Sequence, residues 1–168
     1  MGTEDDYVTL CPFCDSCFNL AVAGMAGSGL IVWVPELTQA ELNNIVRAAY
    51  VARAVGGKVA DLADRALDAF KMRRTEAKKR LGSDDPLLLA TAFQESLSKK
   101  EYAERAAKLE GLRFFPLDKY LVRGRVGEID QFPQMLGFWR SSSGPYGATS
   151  PDEWIAMFEK LGSEAVPA

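Results

Sequence analysis

Three cysteines stand within seven residues, Cys11, Cys14 and Cys17 in the run LCPFCDSCF, and the rest of the chain has none. In Cys11-Pro12-Phe13-Cys14 two thiols are separated by two residues, so a tight turn can set both sulfurs on one edge of a tetrahedral metal. An odd number of cysteines packed this closely fits a reducing compartment and a metal site better than a disulfide framework. A structural zinc site takes four ligands, and this chain offers three thiols and no histidine. Cys17 is then either a third ligand or a buried apolar side chain. The fourth position falls to Asp15, to an acidic residue near the N-terminus such as Asp5 or Asp6, to water, or to a group from another chain. The other reading is a knuckle that persists as a turn without metal. An iron–sulfur cluster would lack its fourth cysteine, and a catalytic thiol would lack a base.

The absence of histidine removes further chemistry: no imidazole general base, no Ser-His-Asp or Cys-His pair, no catalytic HNH motif. No Walker A pattern and no GxGxxG after a strand occur. With 48% hydrophobic residues in 168, the chain has enough apolar material for a core. Its net charge of −3 places nucleic-acid binding behind other classes. No apolar run reaches the roughly 18 residues of a membrane span and no signal-peptide pattern opens the chain, so a cytoplasmic protein is expected.

Residues 1–7 (MGTEDDY) read as a loose polar arm. Phe18 to Val22 reads as a short strand, Gly24, Gly27 and Gly29 as a flexible turn, and Leu30 to Val34 as a second strand ending at Pro35, together a β-hairpin. Thr38-Gln39-Ala40-Glu41 is a capping box, opening a helix with Leu42, Ile45, Val46, Ala49 and Tyr50 on one face and Gly56-Gly57 at its end. A helix from about Lys58 to Leu81 follows, with Val59, Leu62, Ala63, Ala66, Leu67 and Phe70 as its stripe and Gly82 as its stop. Asp85-Pro86 caps a third helix with Leu87, Leu88, Ala90, Phe93 and Leu97 as its face. Ser98 to Glu101 is a second capping box, for a helix to about Glu110. Ser150 to Glu153 is a third, for a last helix carrying Trp154, Ile155, Phe158 and Leu161. The basic run KMRRTEAKKR (Lys71–Arg80) reads as a solvated helix face, and Asp84-Asp85 as capping carboxylates. The segment Phe114 to Trp139 has many aromatics and little periodicity, and reads as an irregular wrap completing the core, with a docking surface as the alternative.

From Leu10 to about Leu97 the chain resembles the DotN/IcmJ family of type IVB (Dot/Icm) secretion systems. The resemblance is carried by LCPFCDSCF, IVWVPELTQAELN and FKMRRTEAKKRLGSDDP, the Pro-Glu-Leu-Thr-Gln turn followed by Leu-Asn being the most specific element. It implies a degenerate HNH or treble-clef-like fold around a cysteine-bound zinc, without nuclease residues. It also implies a cytoplasmic subunit of a type IV coupling complex, which binds the C-terminal extension of the coupling ATPase and helps build a platform for substrates. The family's second cysteine pair, N-terminal to CPFC, has no counterpart in the ten residues before Cys11. The metal ligands carried over are therefore Cys11, Cys14 and Cys17, an incomplete set for zinc.

These readings combine into one α+β domain over 1–168: a cysteine knuckle and hairpin at 1–37, a helical body at 38–111, and an irregular aromatic-rich segment with a terminal helix at 112–168. The expected function is a non-enzymatic adaptor at an inner-membrane secretion complex, with no catalytic residue. Trp33, Pro35, Glu36, Gln39 and Leu42 are its expected partner-binding residues, and the coupling ATPase tail and other coupling-complex subunits its partners. The alternative is a zinc-knuckle nucleic-acid-binding protein related to HNH proteins.

Overall fold

The computed structural model describes residues 10–104, 109–151, 153, 154 and 156. Its centre is strand β1 (Gly29–Trp33), whose partner is the distant strand β2 (Leu112–Pro116). They run antiparallel, with Gly29 opposite Pro116, Ile31 opposite Phe114 and Trp33 opposite Leu112. Successive strand side chains point to opposite faces, and here both faces are buried. Leu30, Val32 and Phe115 enter one apolar cluster, with α3 (Gln39–Val55), α4 (Gly57–Met72) and the later helix α8 (Phe132–Arg140). Ile31 and Phe114 enter a second, with Ala23 of α2 (Leu20–Met25), Ala77 of α5 (Arg74–Leu81) and Leu89 of α6 (Pro86–Ser96). The fold is mainly helical, with two small antiparallel sheets.

A strand pair has two open edges, and buried backbone groups left unpaired are costly. Both edges are closed from outside the sheet. On the β1 side, Ile31 N–H donates to the Asp84 carbonyl at 2.9 Å and Trp33 N–H to the Arg73 carbonyl at 3.3 Å, so the turns flanking α5 act as a neighbouring strand. On the β2 side, the Gln39 carboxamide donates to the Phe114 carbonyl at 2.7 Å and accepts its N–H at 2.8 Å.

The expected hairpin is not formed. Residues Leu20–Met25 are helix α2, because Leu20 and Ala23, three apart, both face the second cluster. Two glycines read as a flexible turn serve close packing instead. A Cβ at Gly24 would lie 2.5 Å from the Leu87 backbone nitrogen, and one at Gly29 2.1 Å from the Phe114 ring. The cysteine turn is a single helical turn, α1 (Pro12–Asp15), with Cys11 as N-cap.

The local helix signals hold. Both reciprocal bonds of the capping boxes at Thr38 and Ser98 are present, the latter opening α7 (Lys99–Ala103), and Ser150 and Glu153 exchange bonds in the same way. Gly56 and Gly82 end their helices at φ of 90° and 78°, a region that favours glycine. The expected helix from 58 to 81 bends at Arg73, dividing into α4 and α5. In α6 the buried residues are Pro86 and Leu89, which set the inward face, while Leu87 and Leu88 are exposed. The expected continuation of α7 crosses 105–108, and Ile155, Phe158, Leu161 and the polar arm at 1–7 also lie outside the described residues.

Between residues 112 and 140 the segment is not irregular. It supplies β2, a hairpin of β3 (Leu121–Gly124) with β4 (Gly127–Asp130), and α8. Its elements are four to nine residues long, too short for a periodic pattern to show. Most of its aromatics fill the core: Phe114, Phe115, Tyr120, Phe132 and Trp139 are buried, while Phe138 is exposed.

Asp84 does more than flank a cap. Its side chain is 8% exposed and meets Arg74 Nε at 2.5 Å and Lys78 Nζ at 3.1 Å, while its carbonyl holds β1. Burial pushes its carboxyl up, but the bonds and charges of Arg74 and Lys78 outweigh this and leave it below its ordinary value of 3.8. A carboxyl held down in the folded state contributes stability that is whole above the unfolded pKa and drains as pH falls through the folded one. Asp84→Asn is expected to cost about 1–3 kcal/mol at neutral pH, since a buried carboxylate held by two charge-assisted bonds becomes an amide. Urea denaturation should show that difference shrinking below about pH 4, as the wild-type carboxyl takes up its proton. An unchanged midpoint at neutral pH would remove Asp84 as an anchor.

Candidate functional site

The cysteine segment is held by its non-cysteine residues. Phe13 is 2% exposed and sits in a cluster of four aromatic rings. Its ring meets Trp139 edge-on at 5.1 Å and Tyr50 at 6.3 Å, and Phe132 contacts both Tyr50 and Trp139. Edge-to-face pairs at such distances add to the gain from burial. Tyr50, buried on α3, donates its hydroxyl to the Pro116 carbonyl at 2.9 Å, and burial raises its pKa. Ser16, also buried, donates to the Pro12 carbonyl at 2.9 Å and lies 3.2 Å from the Ser28 hydroxyl. The turn from Cys11 to Cys17 is thus fixed by protein contacts.

The three thiols differ. Cys11 is exposed. Cys14 lies 3.8 Å from the Arg47 guanidinium, and burial, with help from a bond to Cys11, raises its pKa against the pull of Arg47. Cys17 accepts a hydrogen bond from Asn43 Nδ2 at 3.3 Å and lies 3.6 Å from the Phe13 carbonyl; burial pushes its thiol up to about 11. Among the described residues no three His, Cys, Asp or Glu side chains converge so as to hold a metal ion. A zinc site of the kind the resemblance implies needs deprotonated thiolates and no competing cation. Cys11, Cys14 and Cys17 are the residues that would hold such an ion, with Asn43 donating to the Cys17 sulfur and the Arg47 guanidinium beside Cys14.

The expected partner-binding residues do not form one outward surface. Leu42 is 0% exposed and part of the core. Gln39 spends its carboxamide on Phe114 and Asn43. Trp33 is half-buried beneath Arg80, whose guanidinium lies 3.7 Å from the ring centroid. Pro35 and Glu36 are exposed, and Glu36 pairs with Arg73.

The basic run also pairs within the molecule. Arg73 holds Glu36, Arg74 and Lys78 hold Asp84, and Arg80 pairs with Glu76 at 3.0 Å while covering Trp33. The run is a solvated face as expected, with the side chains of Arg73, Arg74, Lys78, Lys79 and Arg80 42% to 71% exposed, and Arg73, Arg74 and Lys78 also reach carboxylates outside α5. A phosphate backbone would have to compete with carboxylates for them.

Two concave surfaces flank α3. One is an apolar groove of about 500 Å³ between α3 and α4, lined by Ala48, Ala49, Ala52, Val59, Leu62, Ala63, Pro151 and Trp154. The alanines four apart on α3 and Val59 and Ala63 on α4 were the available sequence signal, since small residues let another backbone approach closely. The other is a cleft of about 590 Å³ beside the cysteines, containing Arg47 and Arg113. Neither arginine stood out in the sequence, because each lies far from any other basic residue of its wall.

The chain is 31% identical over 114 residues to the type 4 apparatus protein DotN of Legionella pneumophila. The matched stretch is 65% of this chain and 52% of DotN, so the chain spans about half the length of that curated relative. No protein-family model matches the chain. No described helix is long and apolar enough to cross a membrane.

Gln39→Ala should leave the Phe114 N–H and carbonyl without partners, at about 1–3 kcal/mol. Hydrogen exchange would show the Phe114 amide losing protection well ahead of the amides of α4. Equal protection in wild type and variant would mean that Gln39 does not close this edge.

Proposed function

Because the chain belongs to the DotN/IcmJ family, we propose that it is a non-enzymatic adaptor subunit of a type IVB secretion or conjugation coupling complex, binding the C-terminal extension of the coupling ATPase. In this reading it is cytoplasmic, reaches the inner membrane only through the complex, and helps build a platform that receives substrates. Its relation to a type 4 apparatus protein carries the proposal. The groove between α3 and α4 supports it physically. Every lining residue is uncharged, and the floor is built from alanines, so the apolar face of an amphipathic helix can approach closely. Leu62 stands at the groove, 48% exposed, where a partner would cover it. The nucleic-acid alternative loses support, since the basic run is already paired with carboxylates.

The test is native mass spectrometry of the chain co-expressed with the C-terminal extension of the coupling ATPase from its own operon. Wild type is expected as a complex with the extension, and Leu62→Glu as free protein with an unchanged circular dichroism spectrum. The same spectra would show by mass whether a zinc ion accompanies the three cysteines. Wild type found free of the extension, or Leu62→Glu binding as wild type does, would overturn the groove as the docking site.

A further inference from the structure

The second concave surface lies between α1, one flank of α3 and β2, and neither its charge nor its chemistry belongs to the adaptor reading. Two guanidiniums line it, Arg47 and Arg113, and among the described residues no Asp or Glu does. Among the described residues neither arginine has a carboxylate within ion-pair distance. Arg53, Arg73, Arg74 and Arg80 each have one. The other described arginines without a carboxylate, Arg65, Arg123, Arg125 and Arg140, are exposed and solvated. Arg47 and Arg113 alone among them are half-buried cations without a counter-charge, an arrangement that costs free energy unless an anion completes it.

Donors are left unused on both guanidiniums. Arg47 Nε is buried and has no hydrogen-bond partner, while its Nη2 reaches only the Cys14 sulfur. The guanidinium is steadied over the Trp139 ring, 5.6 Å from its centroid. Arg113 is fixed by its Nε on the Leu37 carbonyl at 2.6 Å and its Nη1 on the Leu112 carbonyl at 2.8 Å, which leaves Nη2 for a ligand. Around the two cations the walls are apolar: Leu10, Phe18, Leu109 and Leu112, with the Phe18 ring 73% exposed.

We propose that this cleft binds a carboxylate carried on an apolar-flanked peptide segment of a partner protein. Guanidinium–carboxylate pairs are charge-assisted and directional, and the leucine and phenylalanine walls would take the side chains beside the acid. A nucleic-acid strand is the poorer match. It needs a basic track along its length, whereas this cleft has an isolated pair of cations within a chain of net charge −3. The site is independent of the apolar groove: Ala40, Asn43, Asn44 and Arg47 line the cleft, and Ala48, Ala49 and Ala52 line the groove on another face of the same helix.

The experiment is selection of a random library of amidated short peptides on the immobilised full chain, followed by isothermal titration of an enriched peptide. Enriched peptides should carry Asp or Glu between apolar residues, and changing that acid to its amide should weaken binding about tenfold or more. Arg47→Gln should cause a similar loss. So should Ala40→Glu, which places a carboxylate on an exposed part of the cleft wall and removes no contact. Val126→Glu, fully exposed between β3 and β4 and lining neither surface, should bind as wild type does. Enrichment without acidic residues, or binding unaffected by both cleft variants, would overturn the proposal. So would Arg47-dependent binding of a single-stranded oligonucleotide tighter than that of any peptide. Binding that appears only after Glu4, Asp5 and Asp6 are neutralised would instead give the cleft to the chain's own acidic segment.

Discussion

A two-stranded ribbon with both faces buried and both edges closed is the constraint on which the rest of this structure depends. A strand pair this small has no stability of its own in water. Here β1 and β2 divide the apolar residues between two clusters, Leu30, Val32 and Phe115 to one side and Ile31 and Phe114 to the other. Helices must therefore cover both faces, and groups outside the sheet must satisfy both edges. Gln39 at the start of α3 closes one edge, and the turns at Arg73 and Asp84 close the other. The bend at Arg73 that divides α4 from α5 follows from this requirement, because that carbonyl is the acceptor for Trp33.

The same economy explains the charged residues. Arg74 and Lys78 neutralise the buried Asp84, whose carbonyl holds Ile31, and Arg80 covers the Trp33 ring on the strand itself. The run of cations is a solvated helix face whose members also reach carboxylates and the Trp33 ring. Among the described residues, what remains uncompensated is at Arg47 and Arg113, where half-buried charges face a cleft with no acid in it.

The cysteine segment shows how a short motif can be fixed by its neighbours. Phe13 anchors it in the aromatic cluster, Ser16 ties it to Ser28, and Asn43 engages Cys17. Kinship with DotN over about half that protein's length agrees with the CPFC and PELTQ motifs that carry the resemblance. The geometry around the thiols is set by apolar packing and amide bonds within this chain.

The sequence by itself determined what depends on neighbours within one helical turn. The capping boxes at Thr38, Ser98 and Ser150, the proline after Asp85, and the glycine stops at 56 and 82 all act through bonds to residues two to four away. Those contacts form whatever the rest of the chain does. The pairing of strands and the roles of Gln39, Asp84 and Arg80 were decided only by tertiary structure. Gln39 and Phe114 are 75 residues apart, and no local pattern marks one as the partner of the other. The alternation at 18–22 looked like a strand because short apolar runs carry both periods. The choice of helix came from the contact of Gly24 with Leu87, where a backbone without a side chain let α2 lie directly against α6.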